Sequence, residues 1–566
     1  MIRSISLKAY QVLRSSALTV NPLPSLSTLK RRISHFLCPP GIQQTLFSLL
    51  RVKFKNEDSN FREAALMFDE MQLNEVCEFS ERLKKLFIQH KKVQVVQVRG
   101  IIHPWKQIVY YDFDTNMDMK LLNTLIIQCE QSNVKVRAIV CDMGNAQLLS
   151  HLKVYKSHNN FFPNPFVEKR KVYIICDTPH CFENMRNHTL DYGMIVKLEN
   201  ENIVINKNMF YKLLEDDQGD LKYCYKLTLS HIDVEGHDRQ RVRTAVQLFS
   251  DTVSKALQHI YGDVYKKESN IISIIDKFWD VMDSRSKYHW KKYKCGLGMN
   301  ESMQLEILDK MENIVRNMFF LTKTGKLGQK QFQSGIIVTI KSVRQLYRDL
   351  KSEGKHFLLT SRVNQDCLEN TFSTVRYMGG NDGHPTTKMF CDRIRMLLVS
   401  KNVNFVINNP SVEYEESTQF ISADILDELS SSNFDEPSAL ENSSSENENI
   451  ADCPDEFFQC ENEMKAKEMR SYVGGFICRK LNIKPAKQVP KSWIHLKGEG
   501  RLIQPSEAVQ DILEKCDKVF NDFNGISISL RKCHDPLGKV MGLMMKKFKD
   551  INPKIIKLYC KVKFYG

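Results

Sequence analysis

Three carboxylates, Asp69, Asp142 and Glu369, carry the most chemistry in this sequence. Asp69 and Asp142 each follow a short apolar run, Ala65-Leu-Met-Phe68 and Val136-Arg-Ala-Ile-Val-Cys141, of strand length and composition. A carboxylate just past the end of a strand sits at the rim of a sheet, where neighbouring strands can bring two of them together. Clustered carboxylates repel one another unless a cation intervenes, and hard oxygen ligands select Mg²⁺ or Mn²⁺. A pair of such ions can activate a water or a 3′-hydroxyl and stabilise the leaving oxygen in phosphodiester displacement. The same spacing also suits a turn or N-cap aspartate. Asp177, after Val172-Tyr-Ile-Ile-Cys176, has this placement too. Asp366 lies one turn before Glu369 and would share its helix face, as a site residue, a solvated carboxylate or a partner of Arg362.

The elements that must position these groups follow from periodicity. Between Ala64 and Asp177 the chain offers five short apolar strands, with an amphipathic helix over Met119 to Cys129 before the fourth. Strands first consecutive, then alternating with helix, imply a mixed sheet flanked by helices. After His180 the strand signal fades. The segments 238–249, 271–282 and 302–319 are helical, which reads as an inserted helical domain. Helices resume over 335–350 and 360–377, the latter with Thr360 or Ser361 available as N-cap. At the start, 25–37 and 42–50 suit two short helices around Pro39-Pro40-Gly41, a helix-turn-helix pattern.

Charge divides the chain unevenly. Sixteen acidic and no basic residues lie between Glu413 and Glu463, so the rest carries +30 against a total of +14. That tract, rich in Ser and Asn, is too polar to bury a core and reads as a disordered linker. From Lys465 onward there are twenty-two Lys plus Arg against nine Asp plus Glu, a basic C-terminal domain. A basic body suggests a polyanionic partner, nucleic acid before anionic membrane. No run approaches the ~18 apolar residues of a membrane span. The sixteen cysteines are scattered, without a Cys-x2-Cys pair, and are expected as reduced thiols. His231 and His237 lack a neighbouring cysteine pair and read as surface histidines.

Several ordered motifs resemble the P-element-type transposases and their THAP-domain relatives: Met67-Phe-Asp-Glu-Met71, Val140-Cys-Asp-Met-Gly-Asn145, Cys176-Asp-Thr-Pro-His180 with Met185-Arg-Asn187, and Leu359 to Asn370. Gly379-Gly380 and Tyr472-Val-Gly-Gly-Phe-Ile-Cys-Arg-Lys480 complete the series. The resemblance implies an α/β fold, an RNase H-like catalytic domain interrupted by an all-helical GTP-binding insertion, with helical N- and C-terminal modules. It implies Asp69, Asp142 and Glu369 as catalytic, metal-binding residues. Asp280 in Lys277-Phe-Trp-Asp-Val-Met-Asp283 resembles a guanine-reading aspartate, and Asp283 stands where the family often has Asn; with Asp366 these are the candidate nucleotide residues. The competing reading of that segment is an amphipathic helix with Phe278 and Trp279 in the core. There is no G-x-x-x-x-G-K-[ST] phosphate loop.

The expected organisation is a basic segment over 1–23, a helix-turn-helix module over 24–58, the RNase H-like domain in two parts (59–180 and 326–410), the insertion over 181–325, the acidic linker over 411–464 and the C-terminal domain over 465–566. The expected activity is metal-dependent DNA strand cleavage and strand transfer, with Mg²⁺ or Mn²⁺ and GTP as cofactors. The expected partner is double-stranded DNA, bound as a homo-oligomer in the nucleus without a membrane role. The family's zinc-binding THAP finger is not expected, since Cys38 alone precedes Cys77. A domesticated DNA-binding or regulatory protein that keeps the fold without transposing is the alternative.

Overall fold

The computed structural model describes residues 36–199, 201–218, 222–322, 325–378, 383–399, 463–483, 503–526 and 536–565, together with residues 25, 27–28, 419–420, 486 and 493. Most of the expected first helix of the helix-turn-helix, Gly379-Gly380 and nearly all of the acidic linker lie outside these residues. The described part forms two units. The first comprises residues 1–204, 235–246 and 274–436, and the second residues 205–234, 247–273 and 437–566.

At the centre of the first unit is a mixed sheet of β1 (Glu63–Gln72), β2 (Lys92–Gly100), β3 (Trp105–Phe113), β4 (Lys135–Cys141) and β5 (Lys171–Cys176), in the order β3-β2-β1-β4-β5. β1, β2 and β3 pair antiparallel as a meander, whereas β4 and β5 run parallel to β1. The parallel half needs a crossover, and α2 (Met119–Gln131) supplies it. Its start is fixed by Asp118, whose carboxylate accepts the Leu121 amide at 2.7 Å, and it buries Leu122, Leu125, Ile126 and Cys129 at helical spacing. Ala64 to Phe68 is a continuous buried run because both faces of β1 are covered. Each large side chain fully buried there contributes roughly 1.5–3 kcal/mol.

α1 (Gln44–Lys53) is the second helix expected at the start. It buries Leu46, Phe47, Leu49 and Leu50 and packs on β3 and α2. Gly41–Ile42 before it is a short strand paired with β3.

After β5 come α3 (Thr178–Tyr192), α4 (Lys266–Met282), α5 (Glu301–Arg316) and α6 (Gln331–Ser352), then α7 (Asp366–Tyr377) and α8 (Thr387–Val399). α6 lies on β5, and Gly335 permits the approach. A Cβ at Gly335 would stand 2.7 Å from Met143 Sδ and 3.2 Å from Cys176 Cβ. The Thr339 hydroxyl locks the contact, donating to the Cys176 carbonyl and accepting its amide, each at 2.9 Å.

Three expectations are corrected. The insertion is not all-helical: its strands Met194–Leu198, Glu201–Ile205 and Met318–Leu321 form a four-stranded sheet with Leu327–Gly328, just beyond its expected end. With two to five residues each, they are too short to show a period of two. Thr360 and Ser361 do not cap a helix. They form a 3-10 turn, buried and hydrogen-bonded to Ser284, and α7 begins only at Asp366. His231 is not at the surface; it is buried, bonding Gln247 at 2.8 Å and the Thr228 hydroxyl at 3.0 Å.

The second unit holds α9 (Glu463–Lys480), α10 (Glu507–Ile526), α11 (Pro536–Lys547) and α12 (Pro553–Tyr565) around Ile477, Leu513, Phe520, Met544, Ile556 and Tyr559. This is the helical C-terminal module that the sequence pattern implies. The thirteen cysteines described in the two units are all free thiols. No helix among the described residues is long and apolar enough to cross a membrane.

Candidate active site

Register places the first carboxylates. Met67 on β1 is opposite Val140 on β4, and Val140 is opposite Ile175 on β5. Two residues further along each strand line come Asp69, Asp142 and Asp177, at equivalent levels on three neighbouring parallel paths about 4.8 Å apart. Asp142 and Asp177 follow the ends of β4 and β5 as the sequence suggests. Asp69 does not follow a strand end. It lies inside β1, which continues to Gln72 because β2 goes on pairing with it antiparallel as far as Gln72↔Lys92.

Each aspartate is held differently. Asp142 accepts a hydrogen bond from Asn145 Nδ2 at 2.7 Å. Gly144 keeps space beside it, since a Cβ there would come 2.7 Å from Asp142 Oδ2. Asp177 is the buried N-cap of α3. Its Oδ2 accepts the His180 amide at 3.1 Å and pairs with His180 Nδ1 at 2.7 Å, and its Oδ1 accepts the Gln365 amide at 2.7 Å. Both oxygens are thus committed to protein donors, which makes Asp177 a positioning group.

Glu369 arrives on the first turn of α7. Gln365, just before that helix, is tied twice: its amide to Asp177 and its Nε2 to the Phe68 carbonyl at 2.7 Å, next to Asp69. Gln97 on β2 grips the same helix through Cys367 at 3.2 Å and Thr371 at 3.0 Å. Glu369 therefore reaches the rim occupied by Asp69, Asp142 and Asp177.

His180 is the residue that sequence spacing missed. Its Nδ1 is on Asp177 and its Nε2 stands 3.7 Å from Glu369 Oε1. Donor atoms of Asp177, His180 and Glu369 all lie within 4.8 Å of one another. The Asp-x-x-His step from a helix N-cap was the available signal. Arg376, two turns after Glu369 on α7, was missed as well; its charge acts on both Glu369 and Asp69.

The electrostatics are those of crowded acids. Burial pushes Asp69 up to about 6, with His180 opposing and Asp142 and Asp177 adding to the rise. Burial pushes Glu369 up to about 8, again against His180 and with Asp177, Asp366 and Asp69 reinforcing. Burial opposes charge on His180, yet the hydrogen bond and charge of Asp177, with Glu369 and Glu183, hold its imidazolium well above the usual range. These groups bind more protons in the folded than in the unfolded protein, so stability must fall as pH rises through about 6 to 8. The melting temperature of the metal-free protein should drop by several degrees between pH 6 and pH 8.5, and Mn²⁺ should reverse the drop. A flat profile would contradict this electrostatic account.

A second acidic cluster adjoins α7. Asp280 on α4 is buried and bonded to Lys291 Nζ at 2.9 Å, with Asp276 at 3.7 Å from the same nitrogen. Burial raises Asp280 despite Lys291. Asp283, also buried, meets Arg285 at 2.9 Å and Lys294 at 3.4 Å. Arg285 Nη2 also donates to Asp366 at 2.7 Å, so it bridges the end of α4 to the start of α7. Burial lifts Asp366 to about 7 against the pull of Arg285. Of the alternatives open for Asp366, the pairing with Arg362 is not the one seen: its guanidinium partner is Arg285, and Arg362 donates to the carbonyls of Ile101 and Ile102. Phe278 is core, stacking with Phe182 at 6.0 Å, so the helix is amphipathic and still delivers Asp280 to the cluster.

Residues 38–153 match the TNP-like RNase H N-terminal domain, residues 179–295 the TNP-like GTP-binding insertion domain, and residues 361–392 the TNP-like RNase H C-terminal domain. The chain is 27% identical over 522 residues to the transposable element P transposase of Drosophila melanogaster, covering 88% of this chain and 66% of that protein. It is 20% identical over 427 residues to the DNA transposase THAP9 of Homo sapiens, covering 68% of this chain and 46% of that one. It thus spans less than two-thirds of either relative's length. Among solved structures, the Drosophila P element transposase strand transfer complex matches with a TM-score of 0.62 at 28% identity, over 70% of this chain and 88% of that one. The mixed sheet is accordingly an RNase H-like domain carrying a GTP-binding insertion domain.

Proposed function

We infer that this chain belongs to the P-element-type transposase family, and on that premise propose that it is a DNA polynucleotidyl transferase, cleaving strands and joining 3′ ends to a target. The observation that carries the reading is the level placement of Asp69 and Asp142 on adjacent strand lines, with Glu369 brought by the Gln365-pinned helix within electrostatic reach of Asp69. The three carboxylates fit divalent ions. They are oxygen donors, and Asp69 and Glu369 resist ionisation because burial and neighbouring carboxylates outweigh the charge of His180. Bound Mg²⁺ or Mn²⁺ would supply activation of the attacking oxygen and stabilisation of the leaving one.

The chain's own residues do the rest. Asn145 fixes the orientation of Asp142, and Asp177 and Gln365 fix the start of α7 and so the reach of Glu369. His180 places a positive charge against Glu369 and is positioned to meet a phosphate oxygen or hold a proton near the reacting atoms. The Arg376 guanidinium, which Glu369 and Asp69 feel electrostatically, would balance charge where a DNA phosphate enters. Double-stranded DNA as partner accords with the basic body of the chain. Assembly as a homo-oligomer on that DNA, in the nucleus, completes the proposal.

For the insertion, Asp280, Asp283 and Asp366 form the proposed guanine nucleotide site. A carboxylate such as Asp280 can accept both the N1 and N2 protons of guanine. Lys291, Lys294 and Arg285 now balance this cluster, and they are the cations available to a nucleotide's phosphates. Titration should show GTP binding at least several-fold tighter than ATP, and Asp280→Asn should erase the difference. Superimposable GTP and ATP curves for the unmodified protein would contradict the nucleotide assignment.

A further inference from the structure

Residues 284–300, between α4 and α5, hold five basic residues and no acidic one, interleaved with Tyr288, His289, Trp290 and Tyr293. The loop has a defined conformation. Ser286 and Cys295 form a β-bridge, Gly296 donates its amide to the Ser286 carbonyl at 3.0 Å, and Lys291 donates its amide to His289 Nδ1 at 3.0 Å. The Lys291 side chain anchors the loop to Asp280 on α4. On this scaffold Tyr288 is 69% exposed and Trp290 60% exposed. A lysine stands over each ring, Lys287 Nζ at 5.0 Å from the Tyr288 centroid and Lys291 Nζ at 5.8 Å from that of Trp290. Lys287 and Lys292 are exposed, and among the described residues neither makes an ion pair.

Two large rings held in water by a fixed backbone are costly unless a ligand covers them, and positive charge beside each ring selects an anionic ligand with a π-face. A nucleic acid supplies both. Within a duplex the base faces are covered by stacking neighbours, so the rings can only be covered by bases that are unpaired. We propose that the Tyr288–Trp290 loop is a stacking platform for unpaired bases of single-stranded DNA, with Lys287 and Lys292 on the flanking phosphates. This rests on the reading of the chain as a DNA-acting protein and adds to it a site separate from Asp69, Asp142 and Glu369, beside the Asp280 cluster.

The test compares a fluorescein-labelled oligothymidylate, followed by anisotropy, with closed circular duplex DNA, followed by mobility shift, on the full chain. Tyr288→Ala with Trp290→Ala should weaken oligothymidylate binding roughly tenfold or more while leaving duplex binding and melting temperature unchanged. Trp290→Phe should keep most of the single-strand affinity, because the π-face is retained. Lys287→Ala with Lys292→Ala should flatten the salt dependence, by about 0.7 in slope for each phosphate that is no longer neutralised. Unaltered oligothymidylate affinity in the double aromatic variant, or equal loss on both probes, overturns the platform while leaving the transferase reading intact. Tighter binding of oligouridylate than oligothymidylate assigns the loop to RNA and also overturns it. A wild-type protein that holds neither DNA probe overturns both.

Discussion

Asp69→Asn and Glu369→Gln should each lower metal-dependent DNA nicking by about three orders of magnitude, the upper range for deleting one electrostatic contact to a transition state, while raising the stability of the metal-free protein. Both effects have one cause. Burial and mutual repulsion lift Asp69 to about 6 and Glu369 to about 8, so at pH 8 the folded protein holds negative charge against a force that the unfolded chain does not feel. A neutral amide removes the repulsion and keeps the shape. The same amide lacks the charge a divalent ion needs, so adding Mg²⁺ should raise the melting temperature of the wild type and leave the variants nearly unmoved. Such a trade between stability and activity is what a site assembled for a cation predicts. Variants that lose both folding and nicking would reduce these carboxylates to a structural role.

Arg285→Ala should be the most destabilising single change outside the hydrophobic core, costing about 3 kcal/mol at pH 8. Its guanidinium serves two buried carboxylates, Asp283 and Asp366; its removal strands Asp366, while Lys294 still reaches Asp283 at 3.4 Å. Asp366, already lifted to about 7, would be lifted further and take up a proton, so the cost should be smaller at pH 6 than at pH 8. Combining Arg285→Ala with Asp366→Asn should cost clearly less than the sum of the two single changes, since the stranded charge is gone. Denaturant unfolding of the four proteins at both pH values measures this. Additive costs with no pH dependence would mean that Arg285 does not carry the bridge between α4 and α7.

Asp142 and the β4–β5 half of the sheet were legible because each strand there is a short apolar run closed by an aspartate. Asp69 was legible as a residue but not in its placement. β1 is buried on both faces, so its pattern does not alternate, and its end is set by pairing with β2 rather than by its own composition. The pairing of Asp366 stays open in the sequence, where Arg362 is the nearby candidate, because the arginine that reaches it lies 81 residues away. His180 has no helical or strand periodicity to announce it; its meaning comes from Glu369, which a separate segment brings to 3.7 Å. The small sheet of the insertion stayed hidden because its strands are held by one another and not by a long apolar pattern.

The central claim is that Asp69, Asp142 and Glu369 act together on DNA through divalent ions, and cleavage by the unmodified protein under metal control addresses it most directly. Full chain stripped with chelator is incubated with supercoiled plasmid while Mg²⁺ is added back in steps, in parallel with Asp142→Asn. No nicking is expected without metal; nicking should rise and saturate with Mg²⁺, and Asp142→Asn should give at most a trace of product at every concentration. Nicking by the wild type in chelator, or a wild-type rate from Asp142→Asn, would contradict it.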